Sequence, residues 1–305
     1  VLDEKTNQPA IIATDLVKTF GRTRALDGVD LEISAGGITA LLGSNGAGKT
    51  TLINCALGLT AQSKGDIRVL GQKSGHALAR QSTGAMLQNS DLPDLLTARE
   101  NIELMASYYP DPRALDEVLG LCEMREFCDV QYKKLSGGQK RRVQFALAIV
   151  GRPRLIFLDE PTTGLDSDAR RILWKTVRTL AEQNVTIILT THYLEEADAL
   201  ADRIIVMNEG RIIADAPTTE IRDTVGGALI RCVTRINARQ LATLSAVRSV
   251  NFAGRFVEIL SADAVASLRP LLEIDPELSD LTIERPSLEE AFLGLTNRAN
   301  GKTDP

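Results

Sequence analysis

Lys49 and Thr50 close the octad Gly43-Ser44-Asn45-Gly46-Ala47-Gly48-Lys49-Thr50. The spacing is G-x-x-x-x-G-K-T. Glycines let a backbone curl until several N–H groups face one anion. A lysine beside them reaches the β- and γ-phosphates of a nucleotide, and a threonine hydroxyl can bind a divalent cation. A second group is the adjacent pair Asp159-Glu160, at the end of Arg154 to Leu158, which reads as a buried strand. Two carboxylates at the end of a buried strand are costly unless they have work to do. A third is His192, which follows Val185 to Leu189 and Thr190-Thr191. A fourth is Leu135-Ser136-Gly137-Gly138-Gln139, where a hydroxyl and two glycines precede a helical pattern.

The flanking segments show how these groups are positioned. Ile38 to Leu42 is an apolar run and Thr51 to Leu57 reads as a helix, so the octad sits between strand and helix. A helix start aims backbone N–H groups and the positive end of its dipole at a phosphate. A glycine-rich turn with a chance lysine is the alternative, and the flanking elements weigh against it. Ser136 is a natural N-cap for a helix from about Lys140 to Val150, giving a second anion-binding helix start. In a phosphate-loop hydrolase Asp159 would hold Mg²⁺ and Glu160 would polarise the attacking water. A lone histidine is more often structural. His192, however, falls at the same C-terminal strand edge as the carboxylates, where open α/β sheets bind ligands, and is read as catalytic. His76 lies in a Gly/Ser-flanked stretch and is read as surface. Phe20, at a strand end, is open between a stacking platform for a base and an ordinary core or edge residue.

Along the chain, Ile11–Phe20 and Ala25–Ile33 read as antiparallel strands with Gly21 in the turn. Gly65–Leu70 and Gly84–Gln88 are short strands, with Gln88 opening a polar stretch to Asp94. Thr97 and Glu100 form a capping box. Residues 110–132 read as interrupted helices, and 168–182 as a helix with Leu173, Val177 and Leu180 on one face. Arg203–Met207 and Arg211–Ala214 pair around Glu209-Gly210. Pro217 to Val225 reads as a connector and Gly226-Gly227 as a boundary. Beyond it the order is βαββαβ, a ferredoxin-like pattern. A last helix follows, with Ser287 and Glu290 as a capping box and an apolar stripe of Leu288, Ala291, Phe292 and Leu295. The expected division is thus 1–225, with a helical subdomain at about 90–150, and 226–305 as a small accessory domain with a disordered tail.

Composition narrows the alternatives. The chain has 305 residues, 44% hydrophobic and 25% charged, with a net charge of −5. Nothing in that balance argues for a nucleic-acid groove, and no nucleic-acid partner is expected. Cys55, Cys122, Cys128 and Cys232 show no paired or metal-like spacing and read as reduced core thiols. No apolar run reaches the roughly 18–20 residues that span a bilayer, and no signal peptide opens the chain. Any membrane role is expected to come through a partner.

Taken together and in order, these motifs over about residues 10–222 resemble the ATP-binding subunits of ABC transporters. Gly43 to Thr50 resembles that family's Walker A, and Leu135 to Gln139 is letter for letter its L-S-G-G-Q signature. Leu155 to Glu160 matches Walker B with the catalytic glutamate. Gln88 falls in the Q-loop position, Asp166 in the D-loop and His192 in the switch-histidine position. Phe20 lies where the family places an adenine-stacking aromatic. Ser44 replaces the usual proline and Thr50 the commoner serine, and neither change removes a phosphate or metal contact. Leu96–Asn101, Thr191–Asp198 and Ser287–Leu293 look most like the drug- and lipid-exporter branch, which includes the daunorubicin-resistance and sodium-exporter types.

The resemblance implies an α/β P-loop NTPase fold. It comprises a RecA-like core, an antiparallel β subdomain and a helical subdomain, followed by the small α+β C-terminal domain. It implies ATP and Mg²⁺ as cofactors. Glu160, His192 and Gln88 are the catalytic residues it points to, with Thr50, Gln88 and Asp159 at the metal. Phe20, the loop from Gly43 to Thr51, Ser136, Gly137, Gly138, Gln139 and Asp166 are the nucleotide contacts. The signature would meet ATP held by another subunit's Walker A, either a second copy or a homologue. A separate polytopic permease would dock on Asn89 to Asn101, at the cytoplasmic face of the membrane. A soluble ABC ATPase, such as an iron–sulfur assembly factor, would share every motif. Nucleic-acid ATPases of the family usually carry two cassettes or a long coiled coil, which this chain lacks.

Overall fold

The computed structural model describes residues 8–88, 92–225, 227–284, 288 and 292. They fall into two compact units, Val1–Asp215 and Ala216–Pro305. The division thus comes ten residues before the 225/226 boundary read from the sequence. The supposed connector is a helix, Thr218–Val225, with Thr218 and Ile221 buried. Its threonine-rich start and β-branched residues give it weak helix propensity, so burial rather than local preference marks it as structure.

The first unit holds two sheets. One is antiparallel, in the order β2-β1-β4-β5, from β1 (Ile11–Phe20), β2 (Thr23–Ile33), β4 (Lys64–Val69) and β5 (Gln72–Lys73). Its alternating apolar and polar residues put one face on the core, with Ile11 opposite Ile33 and Val69. The other runs β10-β9-β3-β8-β7-β6. Its members are β3 (Ile38–Leu42), β6 (Thr83–Met86), β7 (Leu155–Asp159), β8 (Thr186–Thr190), β9 (Arg203–Asn208) and β10 (Arg211–Pro217). From β9 through β6 every pairing is parallel. Every residue of β3, β7 and β8 is buried, as expected of strands covered on both faces.

Helix α1 (Lys49–Leu57) ties the two sheets together. Its Leu52, Ile53 and Ala56 share one apolar cluster with Leu16, Leu26 and Ile67 of the first sheet and Leu41, Phe157 and Ile188 of the second. Phe157 is among the largest fully buried side chains. Truncating such a residue to alanine typically costs about 3–5 kcal/mol. The segment before β6 holds a short helix, α2 (Ala77–Gln81), that periodicity did not show. His76, exposed as the sequence suggests, caps it by accepting from the Leu78 N–H.

The helical subdomain contains α3 (Ala98–Ala106), α4 (Leu115–Leu121) and α5 (Gly137–Ile149). Thr97 and Glu100 form the expected capping box on α3. Helix α6 (Ser167–Glu182) buries Leu173, Val177 and Leu180, and α7 (Leu194–Leu200) follows β8. All four cysteines are free and buried, and burial pushes the Cys122 thiol up to about 12.

The second unit contains α8 (Thr218–Val225), then β11 (Ala228–Val233), α9 (Ala238–Ala242), β12 (Val247–Ala253), β13 (Phe256–Ser261), α10 (Ala264–Ile274) and β14 (Ser279–Glu284). From β11 onward the order is βαββαβ, with the strands arranged β12-β13-β11-β14 and each neighbouring pair antiparallel. It has its own core, built on Ile230, Cys232, Leu241, Val257, Ile259 and Leu271. Of the last helical stripe, Leu288 and Phe292 are helical and Leu288 is buried. The Ser287/Glu290 capping box and the tail lie outside the described residues, as does Asn89 to Asp91.

Candidate active site

β3 delivers Gly43 at its C-terminal end, and the loop closes on α1 at Lys49. Gly48 has φ +105°, and a Cβ there would lie 2.5 Å from the Ala25 carbonyl oxygen. At Gly43 a Cβ would lie 2.4 Å from the Met207 carbonyl oxygen. Glycine is therefore required at both ends by conformation and by close approach. The turn at Glu209-Gly210 backs the loop, with Gly210 N–H donating to Ala47 O at 3.0 Å. Lys49 is buried, and its Nζ donates to Gly43 O at 2.7 Å and Ser44 O at 3.1 Å. Burial holds its pKa below the ordinary lysine value, while the charges of Glu160 and Asp159 act to raise it.

A cleft of about 710 Å³ opens beside the loop. Asn45 to Thr51 form one wall, and Phe20, Gln88 and Glu160 reach it from other elements. Phe20 is 52% exposed, which removes the core reading; Lys18 Nζ stands 4.7 Å from its ring centroid. Thr23, Arg24, Ala25 and Glu209 also line the cleft. Sequence reasoning missed them because they belong to ordinary strand and turn segments, with no motif spacing to mark them.

The two carboxylates diverge. Asp159, at the end of β7, is 1% exposed. Its Oδ1 accepts from Thr50 Oγ1 at 3.3 Å and from the Thr190 hydroxyl. Its Oδ2 is buried with no hydrogen-bond partner. A buried carboxylate oxygen without a donor is costly, and a hard cation between Asp159 and Thr50 would satisfy it. Among the described residues no group of three or more His, Cys, Asp or Glu side chains is placed to hold a metal. One carboxylate and one hydroxyl make a donor set that suits Mg²⁺, which takes few protein ligands and completes its shell from phosphates and water.

Glu160 adopts φ +53°, which turns the next carboxylate out of the strand and toward the cleft. Such backbone typically costs about 1–3 kcal/mol and needs fixing by its surroundings. Thr190 does this: its carbonyl and its Oγ1 each accept from Glu160 N–H at 3.1 Å. On the side chain, Thr163 Oγ1 donates to Glu160 Oε2 at 3.0 Å, and His192 Nδ1 contacts the same oxygen. His192 is 45% exposed and its ring lies tilted by 39° against that of Tyr193, with centroids 4.0 Å apart. Thr190 and Thr163 were not singled out as site residues from sequence; a hydroxyl beside each motif is too common a signal.

Other sequence-named residues stand apart. Ser136, Gly137, Gly138, Gln139 and Asp166 do not line the cleft. Ser136 caps α5, and Gln139 N–H donates to its Oγ at 3.2 Å. In return Gln139 Oε1 accepts from Ser136 N–H at 2.9 Å. Ser136 and Gly137 are exposed. A Cβ on Gly138 would touch Leu165 and Ala169 beside the start of α6, which Asp166 caps through Ala169 N–H. The chain thus holds a loop with acids and histidine at one place, and an open helix start at another. Among the described residues no helix is long and apolar enough to cross a membrane.

Comparison with known proteins gives a consistent result. A family model described as ABC transporter matches residues 26–163. The daunorubicin resistance ATP-binding protein DrrA3 of Streptomyces coeruleorubidus is 37% identical, over 94% of this chain and 96% of that protein. The Nod factor export ATP-binding protein I of Rhizobium sp. (strain N33) is 36% identical, over 94% and 98% respectively. Among solved structures, the dimeric post-hydrolysis state of an ATP-binding cassette bound to ADP and Pi superposes with a TM-score of 0.63. It is 27% identical, over 68% of this chain and 98% of that one. An ATP-binding subunit of an ABC transporter gives a TM-score of 0.65 at 26% identity, over 70% and 92%.

Proposed function

Because this chain belongs to the ABC transporter family of ATP-binding proteins, we propose that it is the ATP-hydrolysing subunit that powers a membrane exporter. The observation that carries this is the split site. Lys49, Glu160 and Gln88 share one cleft, while Ser136 to Gln139 open elsewhere on the surface. A site so divided is completed by pairing, with ATP between the loop of one subunit and the signature of another. ATP bridges both faces through its γ-phosphate and ADP does not, so closure and release follow the nucleotide.

In that arrangement Phe20 stacks on the adenine, and the loop N–H groups with Lys49 bind the phosphates. Thr51 and Asn45 line the same wall. Mg²⁺, when bound to Thr50, Asp159 and Gln88, offsets phosphate charge. Glu160 orients water and takes its proton. Its Oε2 is occupied by Thr163 and His192, so Oε1 is the oxygen that faces the water. His192 keeps Glu160 in place through Nδ1 and offers Nε2 to the γ-phosphate. In the paired subunit Ser136 and Gly138 meet that phosphate, and Asp166 adjoins the dimer contact.

The exporter reading is supported by the relatives named for daunorubicin resistance and Nod factor export, which match almost end to end. The partner it requires is a polytopic permease at the cytoplasmic face of the membrane, received near Asn89 to Asn101. Co-expression with a candidate multi-span permease, followed by affinity purification, tests this. The permease is expected to co-purify and to stimulate ATP hydrolysis. Recovery with a soluble scaffold instead would overturn the exporter assignment and leave the ATPase intact.

A further inference from the structure

Glu196 is 1% exposed, on the first turn of α7. It does not line the cleft, yet its carboxylate collects donors from separate parts of the unit. Thr162 Oγ1 donates to Oε2 at 3.1 Å and Trp174 Nε1 donates to Oε1 at 3.2 Å. Thr191 Oγ1 accepts from Tyr193 N–H at 2.9 Å and lies near enough to the same carboxylate to lower its pKa. Each neighbour has a telling address. Thr162 is two residues past Glu160, and Thr191 immediately precedes His192. Trp174 lies on α6, the helix capped by Asp166. Burial raises the pKa of this group, and the charge of Glu160 raises it further, against the lowering effect of Thr191, Trp174 and Thr162. An apolar residue here would strand the half-buried indole N–H and the buried Thr162 hydroxyl. A shared acceptor adds a tie between the loop after Glu160, the start of α7 and α6.

We propose that Glu196 is a positioning residue for hydrolysis, fixing the loop after Glu160 to the loop bearing His192 and both to α6. The inference rests on reading Glu160 and His192 as the pair that acts on the γ-phosphate. It accounts for a buried acid that the cleft itself does not use. It also provides a reporter, because Trp174 is the chain's single tryptophan and its N–H ends on Glu196.

The test uses the full chain with Mg-ATP, comparing wild type, Glu196→Ala, Glu196→Gln and Glu160→Gln. Misplacing the pair by about 1 Å should lower kcat of Glu196→Ala by roughly 10–10²-fold, with KM for ATP moving less than about threefold. Glu196→Gln should restore turnover to within about threefold, since its amide oxygen accepts from Trp174 and its NH₂ donates to a threonine hydroxyl. Emission from Trp174 should change when wild type binds Mg-ATP and not change in Glu196→Ala, although nucleotide still binds. Wild-type kcat in Glu196→Ala, a loss matched by KM, or an unaltered emission response overturns the proposal. If Glu196→Ala fails to fold, Thr162→Val must give the same kcat-only loss, and its failure to do so overturns the proposal equally. Wild-type turnover in Glu160→Gln would instead refute the hydrolytic reading itself. A slow Glu160→Gln beside a normal Glu196→Ala would refute only the role of Glu196.

Discussion

His192 contacts, through Nδ1, the same Oε2 oxygen of Glu160 that accepts from Thr163. The contact joins residues 32 positions apart, at the ends of neighbouring parallel strands β7 and β8. It fixes the carboxylate in one orientation and the imidazole with it.

Replacing Glu160 by glutamine keeps the shape and removes the base. Steady-state ATP turnover should fall roughly 10²–10⁴-fold. Because binding survives, the variant should accumulate as an ATP-bound dimer, visible by size-exclusion chromatography with light scattering. A monomer at saturating ATP, or undiminished turnover, would contradict the role given to Glu160.

Lys49 is the one buried cation of the loop wall, and its amine already faces the Gly43 and Ser44 carbonyls. Lys49→Ala removes a charged hydrogen-bond donor, worth about 1.5–3 kcal/mol. ATP affinity by calorimetry should weaken by roughly 10–150-fold on the scale of 1.4 kcal/mol per decade. Unchanged affinity would refute the phosphate-loop reading.

Ser136 has two consequences that separate cleanly. As the N-cap of α5 its loss should reduce stability by about 0.5–2 kcal/mol. As part of the signature its loss should weaken ATP-dependent pairing while leaving ATP binding to the isolated chain unchanged. Chemical denaturation measures the first and sedimentation the second. Weakened binding by the monomer would show that the signature belongs to the same nucleotide site as the loop.

Stability should also depend on pH through Glu196. Its folded pKa is raised above the ordinary 4.5, so between those values the native state holds more protons than the unfolded one. Stability then falls as pH rises through that interval and is level above it. Glu196→Gln has no proton to lose there. Its stability relative to wild type should rise with pH above 4.5 and then plateau, as thermal unfolding across pH 4 to 8 would reveal. A difference that stays constant with pH would contradict the raised value.

Much of this architecture is legible in the sequence because its signals are periodic or conformational. The uninterrupted apolar runs of β3, β7 and β8 announce a parallel sheet, and the N-cap at Ser136 announces α5. What escaped is what depends on three-dimensional approach. Thr190 fixes both Asp159 and Glu160, but a threonine at a strand end carries no distinctive pattern. Arg24 reaches the cleft from the start of β2 and Glu209 from a turn far along the chain. The 218–225 helix is set by burial of Thr218 and Ile221, which a reading of threonine-rich composition undervalues. The distance between the loop and the signature likewise belongs to the fold, and no spacing along the chain encodes it.

That separation has a kinetic consequence. On the proposed pairing, a subunit whose loop and signature stand apart would turn over ATP only as fast as it meets another, so at low concentration the rate would grow with the square of the amount of protein. Specific activity is then not a constant of the chain. Anchoring two copies on one permease would replace encounter by a fixed effective concentration, and the quadratic regime would disappear. The permease would therefore set the reaction order as well as the destination of the energy released.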